Sequence, residues 1–510
     1  MSCAHRAALL LLAIPLLWLA ADPARAQPTG EDVEAAVRVL QQATFPAANR
    51  QHHAVLRGLR RTHDPDLRPL YAWLSRQEHA DLQTHGLLGL ALSSPDRSID
   101  LARLAEIDDQ RQRVDIIGAA LDDELISRSQ MSTLLDWRDL NQGVRQAIAI
   151  RLIAEGGLVG PTLFAPALAG DPAQDSPGEL MERGIAGIAL AQLGDRRGLA
   201  TLRSIDRLPA SPQTHAVRVQ LLSLAARHDL RGVAEWATEV AKTPSLDPRL
   251  RDAALRSALT LKAPDSSTLW RKAFADETEL APRIRLALMA AGVSDHISPS
   301  MLDGLDAGGS SLLRLLIDAG QAAASDPPID LRPLEALADL GYPPGSRWLV
   351  VYGRESAGPQ APVILERVIL GYDKGHDSGR RELTAIAIEA AASLAEMEEA
   401  SGTQTLQRMI HESNDTIIRQ ILYSGIIRSD ARGLGELIGN LSEPPDEISR
   451  DTFLVLRLRH GLSLTAEQWQ RVGELVGLPG KTEPGIRAEL AWYTVKTAGR
   501  TKDVLDQLTR

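Results

Sequence analysis

The sequence predicts an all-α chain, an α-solenoid of about fourteen antiparallel helix pairs behind a cleaved signal peptide. Three observations predict it. An arginine recurs about every 34 residues from position 145 to position 487. A short Asp-x-Arg-Gly turn recurs with it, and the pentapeptide DLRPL occurs twice, 264 residues apart (66 to 330). Strand-like alternation is nearly absent.

The N-terminus comes first. Ala7 to Ala21 is an apolar run behind His5 and Arg6, and Ala24-Arg25-Ala26 forms an A-x-A cleavage pattern. The run is shorter than the roughly 20 apolar residues needed to span a bilayer. Residues 1–26 are therefore expected to leave as a signal peptide, and residues 27–510 to form the solenoid. The single cysteine, Cys3, lies within the signal. Thiolate catalysis, Cys-ligated zinc and covalent haem attachment are thereby excluded for the mature chain. The whole chain carries a net charge of −10, and the signal (Arg6, Arg25, Asp22) carries +1, which leaves −11. Such a surface repels phosphate backbones and anionic lipid, and no run of Lys or Arg calls for a basic patch. Nucleic acid is not an expected partner, nor is membrane insertion after signal cleavage.

With aromatics at 4% and Pro and Gly spread evenly, nothing divides the chain into unlike domains. It is also too long for one ordinary core, so a repeat is the natural solution. The ladder runs Arg145, Arg183, Arg218, Arg251, Arg285, Arg314, Arg347, Arg381, Arg419, Arg450 and Arg487, with a mean spacing of 34.2 residues. It extends upstream more weakly through Arg113, Gln83 and Arg50. Three residues after each anchor the position is apolar in ten of eleven cases, Thr384 being the exception. Four residues before it stand mostly capping types such as Asn141, Asp247, Ser310, Asp415 and Asp446, which places each arginine in the first turns of a helix.

The other half of the unit repeats too. Asp195-Arg196-Arg197-Gly198, Asp229-Leu230-Arg231-Gly232 and Asp430-Ala431-Arg432-Gly433 follow their anchors by 12, 11 and 11 residues. The two DLRPL copies, at Asp66 and Asp330, each follow an anchor by 16. Asp can cap the coming helix and Pro is tolerated in its first turn, so DLRPL is a helix start used twice. First helices are expected at GLATLRSI, GVAEWATEVAK, LEALADLG, TLQRMIHE and EQWQRVGELV. The run RWLVVY (Arg347 to Tyr352) resembles a strand, but its place in the ladder makes it helix. Breaks are expected near 171–178 and 325–329, and a trailing helix at Thr501 to Leu508.

Alternating antiparallel helices with a Leu-Gly-Asp turn and an Arg opening the second helix resemble HEAT repeats. The segment ALAQLGDRRGLATL (Ala189 to Leu202) is similar to the HEAT-like type of phycobilisome lyases. The resemblance covers nearly all of residues 27–510 and implies an armadillo-type superhelix whose second helices line a concave face. It also implies that an Asp in the turn pairs with the second-helix Arg of a neighbouring unit. Asp247, Asp377, Asp415 and Asp446 fit that turn, whereas Thr214, Ala281 and Pro343 do not.

Chemistry is scarce. His52, His53, His63, His79 and His85 fall in two adjacent units, and stacking of second helices would bring His53 towards His85. Two ligands fall short of the three or four that a metal needs, so no metal site is expected. His411-Glu412 lacks the second histidine of a zinc-protease motif, Gly433, Gly435 and Gly439 follow no strand, and neither G-x-S-x-G nor S-x-x-K occurs. Asp122-Asp123-Glu124 and Glu396, Glu398, Glu399 lack calcium-loop spacing and are expected at solvated helix ends or faces. The ladder arginines are expected to be structural. No cofactor and no catalytic role follow from these residues.

The expected function is therefore that of an exported scaffold, periplasmic or secreted from a bacterium, which binds another protein or macromolecule along its concave face. Two other readings remain. One is a closed α/α toroid enzyme acting on a polysaccharide or other small substrate, and the second is a tetrapyrrole- or bilin-handling protein.

Overall fold

The computed structural model describes residues 50–498 except 138, 244–246, 293–300, 326–329, 375–376, 430–433, 445 and 478–483. The expected signal peptide, the trailing helix at 501–508 and most of the expected break at 325–329 lie outside the described residues. Among the described residues the chain is all helical, with many packed helix pairs and no strand. RWLVVY is helix, within Pro343–Glu355. The chain divides into two compact units, residues 128–393 and a discontinuous unit of residues 1–127 with 394–510.

The helix starts follow the sequence closely. Asn141, Asp247, Ser310, Asp415 and Asp446, each four residues before a ladder arginine, all accept bonds from first-turn backbone N–H groups. These are the donors a helix leaves unpaired. Both DLRPL copies open helices, Arg68–Leu74 and Arg332–Asp339. They are capped differently. Asp330 accepts from the Arg332 N–H at 3.1 Å, whereas in the first copy the upstream Asp64 accepts from Asp66 N–H at 3.0 Å.

In residues 128–393 the repeat motif Asp-x-Arg-Gly has a packing explanation. The helix Pro177–Gln192 ends at Leu193-Gly194-Asp195, where Gly194 takes φ = 78° and Asp195 N–H returns to Leu190 C=O at 2.8 Å. That left-handed residue is the ordinary glycine stop of a helix. Asp195 then caps Arg196–Asp206 through Arg197 N–H. Gly198 follows because its Cα lies against the backbone of the preceding helix: a Cβ there would sit 2.2 Å from Ala191 N. Gly232, the same residue one unit on, would meet Ala191 O at 2.4 Å. The helix Arg196–Asp206 and the 3-10 turn Arg231–Val233 thus both press on one second helix, and the third copy at 430–433 lies outside the described residues. Leu202, Ile205, Leu221 and Trp236 fill the space between, each fully buried.

The discontinuous unit is built around one row of second helices. Thr416–Arg428 packs on Glu447–Arg459, which packs on Pro484–Ala498, and that helix packs on Arg50–Arg61. The row continues through Ala80–Leu92 to Gln110–Asp122. The last described helix of the chain therefore takes the place of a preceding repeat for the first. Gly58 and Gly485 make the contact: a Cβ on Gly58 would lie 2.2 Å from the Gly485 carbonyl oxygen. Leu59, Leu70, Leu454, Leu490 and Trp492 surround it in a shared core. Asp64, 6% exposed, accepts the Trp492 indole N–H at 2.8 Å and the Lys496 ammonium at 2.8 Å, and Lys496 also reaches Asp66 at 2.8 Å. Burial lowers the Lys496 pKa, but its bonds to Asp64 and Asp66 outweigh that and leave it raised.

Candidate functional site: an arginine-lined cleft

Most ladder arginines are engaged by the fold. Arg145, Arg183 and Arg218 turn back onto carbonyl oxygens at the end of the preceding element. Arg145 donates to Leu135 O at 2.9 Å, Arg183 to Ala169 O at 2.7 Å and Arg218 to Ile205 O at 2.8 Å. A guanidinium suits that place, since it satisfies last-turn carbonyls and faces the negative end of the helix. Arg419 donates to Ser413 O and lies 3.6 Å from Asp446, the turn Asp of the next unit. Arg251 pairs with Glu277, Arg285 with Asp252, Arg347 with Glu382 and Arg450 with Glu443. Arg487 is buried, while Arg314 and Arg381 are exposed.

The histidine pair does meet. His53 Nδ1 lies 3.1 Å from His85 Nε2, one repeat and 32 residues apart. Asp81 lies 3.5 Å from the other His53 nitrogen, Nε2, which favours a proton there and leaves Nδ1 to accept from His85. His85 is 7% exposed, and its pKa falls to about 3, through burial first and then through the charges of Arg60, His53 and Arg57. It is therefore neutral. No group of three His, Cys, Asp or Glu side chains suited to a metal occurs among the described residues. The pair acts as a hydrogen-bonded contact between stacked helices. His63 ends in the cleft described next, and His79 precedes Ala80–Leu92 without a side-chain cap. The His52 side chain lies outside the described residues.

Beside the pair, the discontinuous unit holds a cleft of about 810 Å³. Five of its helices end there: Arg61, Leu92, Asp122, Arg428 and Arg459 are the last residues of Arg50–Arg61, Ala80–Leu92, Gln110–Asp122, Thr416–Arg428 and Glu447–Arg459. Arg57, Arg60 and Arg97 complete a set of six guanidinium groups, against four carboxylates, Asp122, Asp123, Glu124 and Glu489. The surplus is opposite in sign to the chain's −10.

The charges are not equivalent. Glu489 is held by Arg459 at 2.8 and 3.1 Å, and Arg459 also donates to Ile427 O at 2.7 Å. Arg60 feels Asp123, yet burial dominates and lowers its pKa, and its Nε and Nη1 are buried without an acceptor. Arg61, Arg97 and Arg428 are exposed and make no ion pair with described residues.

Little in the sequence marks this cleft. Only LRGLRR, Leu56 to Arg61, signals it locally. Arg428 and Arg459 end helices nine residues past Arg419 and Arg450, and Arg97 comes from a turn, so the set spans up to 402 positions (57 to 459). The acidic triplet sits at a helix end, one of the two places expected for it, and lines the cleft. No protein-family model matches the chain, and no curated protein matches it.

Proposed function

We propose that the protein is an exported, non-enzymatic HEAT-like scaffold that binds a partner protein across the first turns of its stacked second helices. One observation carries this reading. Ile417 and Ile448 occupy the same position, two residues before the ladder arginine, in the adjacent helices Thr416–Arg428 and Glu447–Arg459. They are 47% and 63% exposed. Arg419 with Asp446 and Tyr423 with Phe453, ring centroids 6.0 Å apart, hold the two helices side by side. Nothing in helix capping requires a β-branched apolar residue there, where it has lower helix propensity than Glu or Ala. Covering what each exposes would contribute about 1 kcal/mol, so a partner would gain affinity by bridging successive units.

The test is site-specific photo-cross-linking in the exporting cell. Benzoylphenylalanine at position 417 or 448 should trap one and the same protein adduct. The same probe at the exposed Lys272 should not. No adduct from either isoleucine position, or the same adduct from all three, would rule the reading out. Among the described residues no helix is long and apolar enough to cross a membrane.

A further inference from the structure

Left-handed non-glycine residues gather at the cleft. Two residues past a helix end, Gly156, Gly194, Gly341 and Gly461 take positive φ, and so do His63, Glu124, Asp229 and Lys262. Six described non-glycine residues take positive φ, and three of them, His63 (50°), Arg97 (42°) and Glu124 (55°), line this one cleft. Of the three, Arg97 stops no helix, lying five residues past Leu92, and it lines the cleft at a cost on the order of 1–2 kcal/mol.

From the six guanidinium groups that line it we infer that the cleft is a binding site for a small molecule carrying one or two oxyanion groups, carboxylate or phosphate. Arg61, Arg97 and Arg428 offer unpaired planar forks of N–H donors, the geometry that grips a carboxylate or phosphate in two places. Arg60 adds buried donors that lack an acceptor. The volume of about 810 Å³ suits a small ligand. The converging helix ends oppose an anion, but their effect is solvent-screened and confined to the last turn, whereas the guanidinium bonds act at contact. Asp122 and Glu124, which also line the cleft, limit the size of the ligand. They repel a polyanion that runs on past the arginines, so a compact oxyanion fits and a phosphodiester polymer does not.

Calorimetry on residues 27–510 tests this with pyrophosphate and citrate as probes. At least one should bind, more weakly as salt is added, and which one binds separates phosphate from carboxylate carriers. The double variant R61A/R428A removes two exposed side chains that the core does not use, so its circular dichroism should match the parent. Its affinity should fall by at least about tenfold. The inference fails if neither probe binds below about 5 mM, or if the double variant binds as tightly as the parent. Its failure leaves the photo-cross-links at 417 and 448 untouched, because those positions lie outside the cleft.

Discussion

Replacing Gly58 with alanine is expected to lower the free energy of unfolding by about 2 kcal/mol. The added Cβ would lie 2.2 Å from Gly485 O and 2.6 Å from its C and Cα. All three are backbone atoms, so no rotamer change relieves the overlap and the two helices must separate. Overpacking of this kind costs about 3 kcal/mol, at the upper end of its usual range. Alanine is the better helix former and returns about 1 kcal/mol, so the clash prevails. Gly118, within Gln110–Asp122, is the matched control, because a Cβ there meets nothing within 4 Å. Gly118→Ala should raise stability by up to about 1 kcal/mol from helix propensity alone. Urea unfolding of both variants checks the pair. If Gly58→Ala stabilised the chain as Gly118→Ala does, the helices Arg50–Arg61 and Pro484–Ala498 would not be in backbone contact.

Acid is expected to weaken the fold through His85. Its pKa drops from 6.5 to about 3 on folding. Above pH 6.5 the residue is neutral in both states and costs nothing. As pH falls from 6.5 towards 3 the unfolded chain takes up a proton that the folded chain refuses. Stability is lost over that window at about 1.4 kcal/mol per pH unit, or about 2 kcal/mol by pH 5. The surroundings explain the refusal: burial removes water, and the guanidinium groups of Arg60 and Arg57 supply positive charge. His228 and His460, also lowered by burial, add to the same trend. His85→Phe should therefore flatten the plot of unfolding free energy against pH between 6.5 and 4. Parallel plots for the variant and the parent would show that His85 is solvated or already charged in the folded chain.

Much of the local structure was legible in the sequence because it is fixed by neighbours in the chain. Capping chemistry at Asn141, Asp247, Ser310, Asp415 and Asp446 depends on residues two or three positions away, and a period of about 34 makes the pattern visible. RWLVVY illustrates the limit of composition, since its β-branched residues suggest a strand and its place in the repeat makes it helix. The meeting of His53 and His85 was foreseeable for the same reason, as one repeat separates them. The junction between the first and last described helices was not. Asp64 meets Lys496 across 432 positions, and no local pattern marks either one as half of a pair. Gly58 and Gly485 look like any other helical glycines until the two backbones are seen to touch. The cleft inherits that invisibility, because its arginines come from both sides of the junction.

The junction also decides whether the cleft exists, and one cross-linking measurement tests it most directly. Lys496 and Asp66 are 39% and 43% exposed and 2.8 Å apart, within reach of a water-soluble carbodiimide that joins amine to carboxylate with no spacer. Treated as a dilute monomer and digested, the full chain should yield a peptide containing Lys496 joined by an amide bond to the peptide containing Asp64 and Asp66. That product in the monomer fraction is the expected result. Its absence under conditions that join other ion pairs, such as Arg-free Lys–carboxylate contacts elsewhere, or its appearance only in dimers, would contradict a unit in which the last described helix stands beside the first.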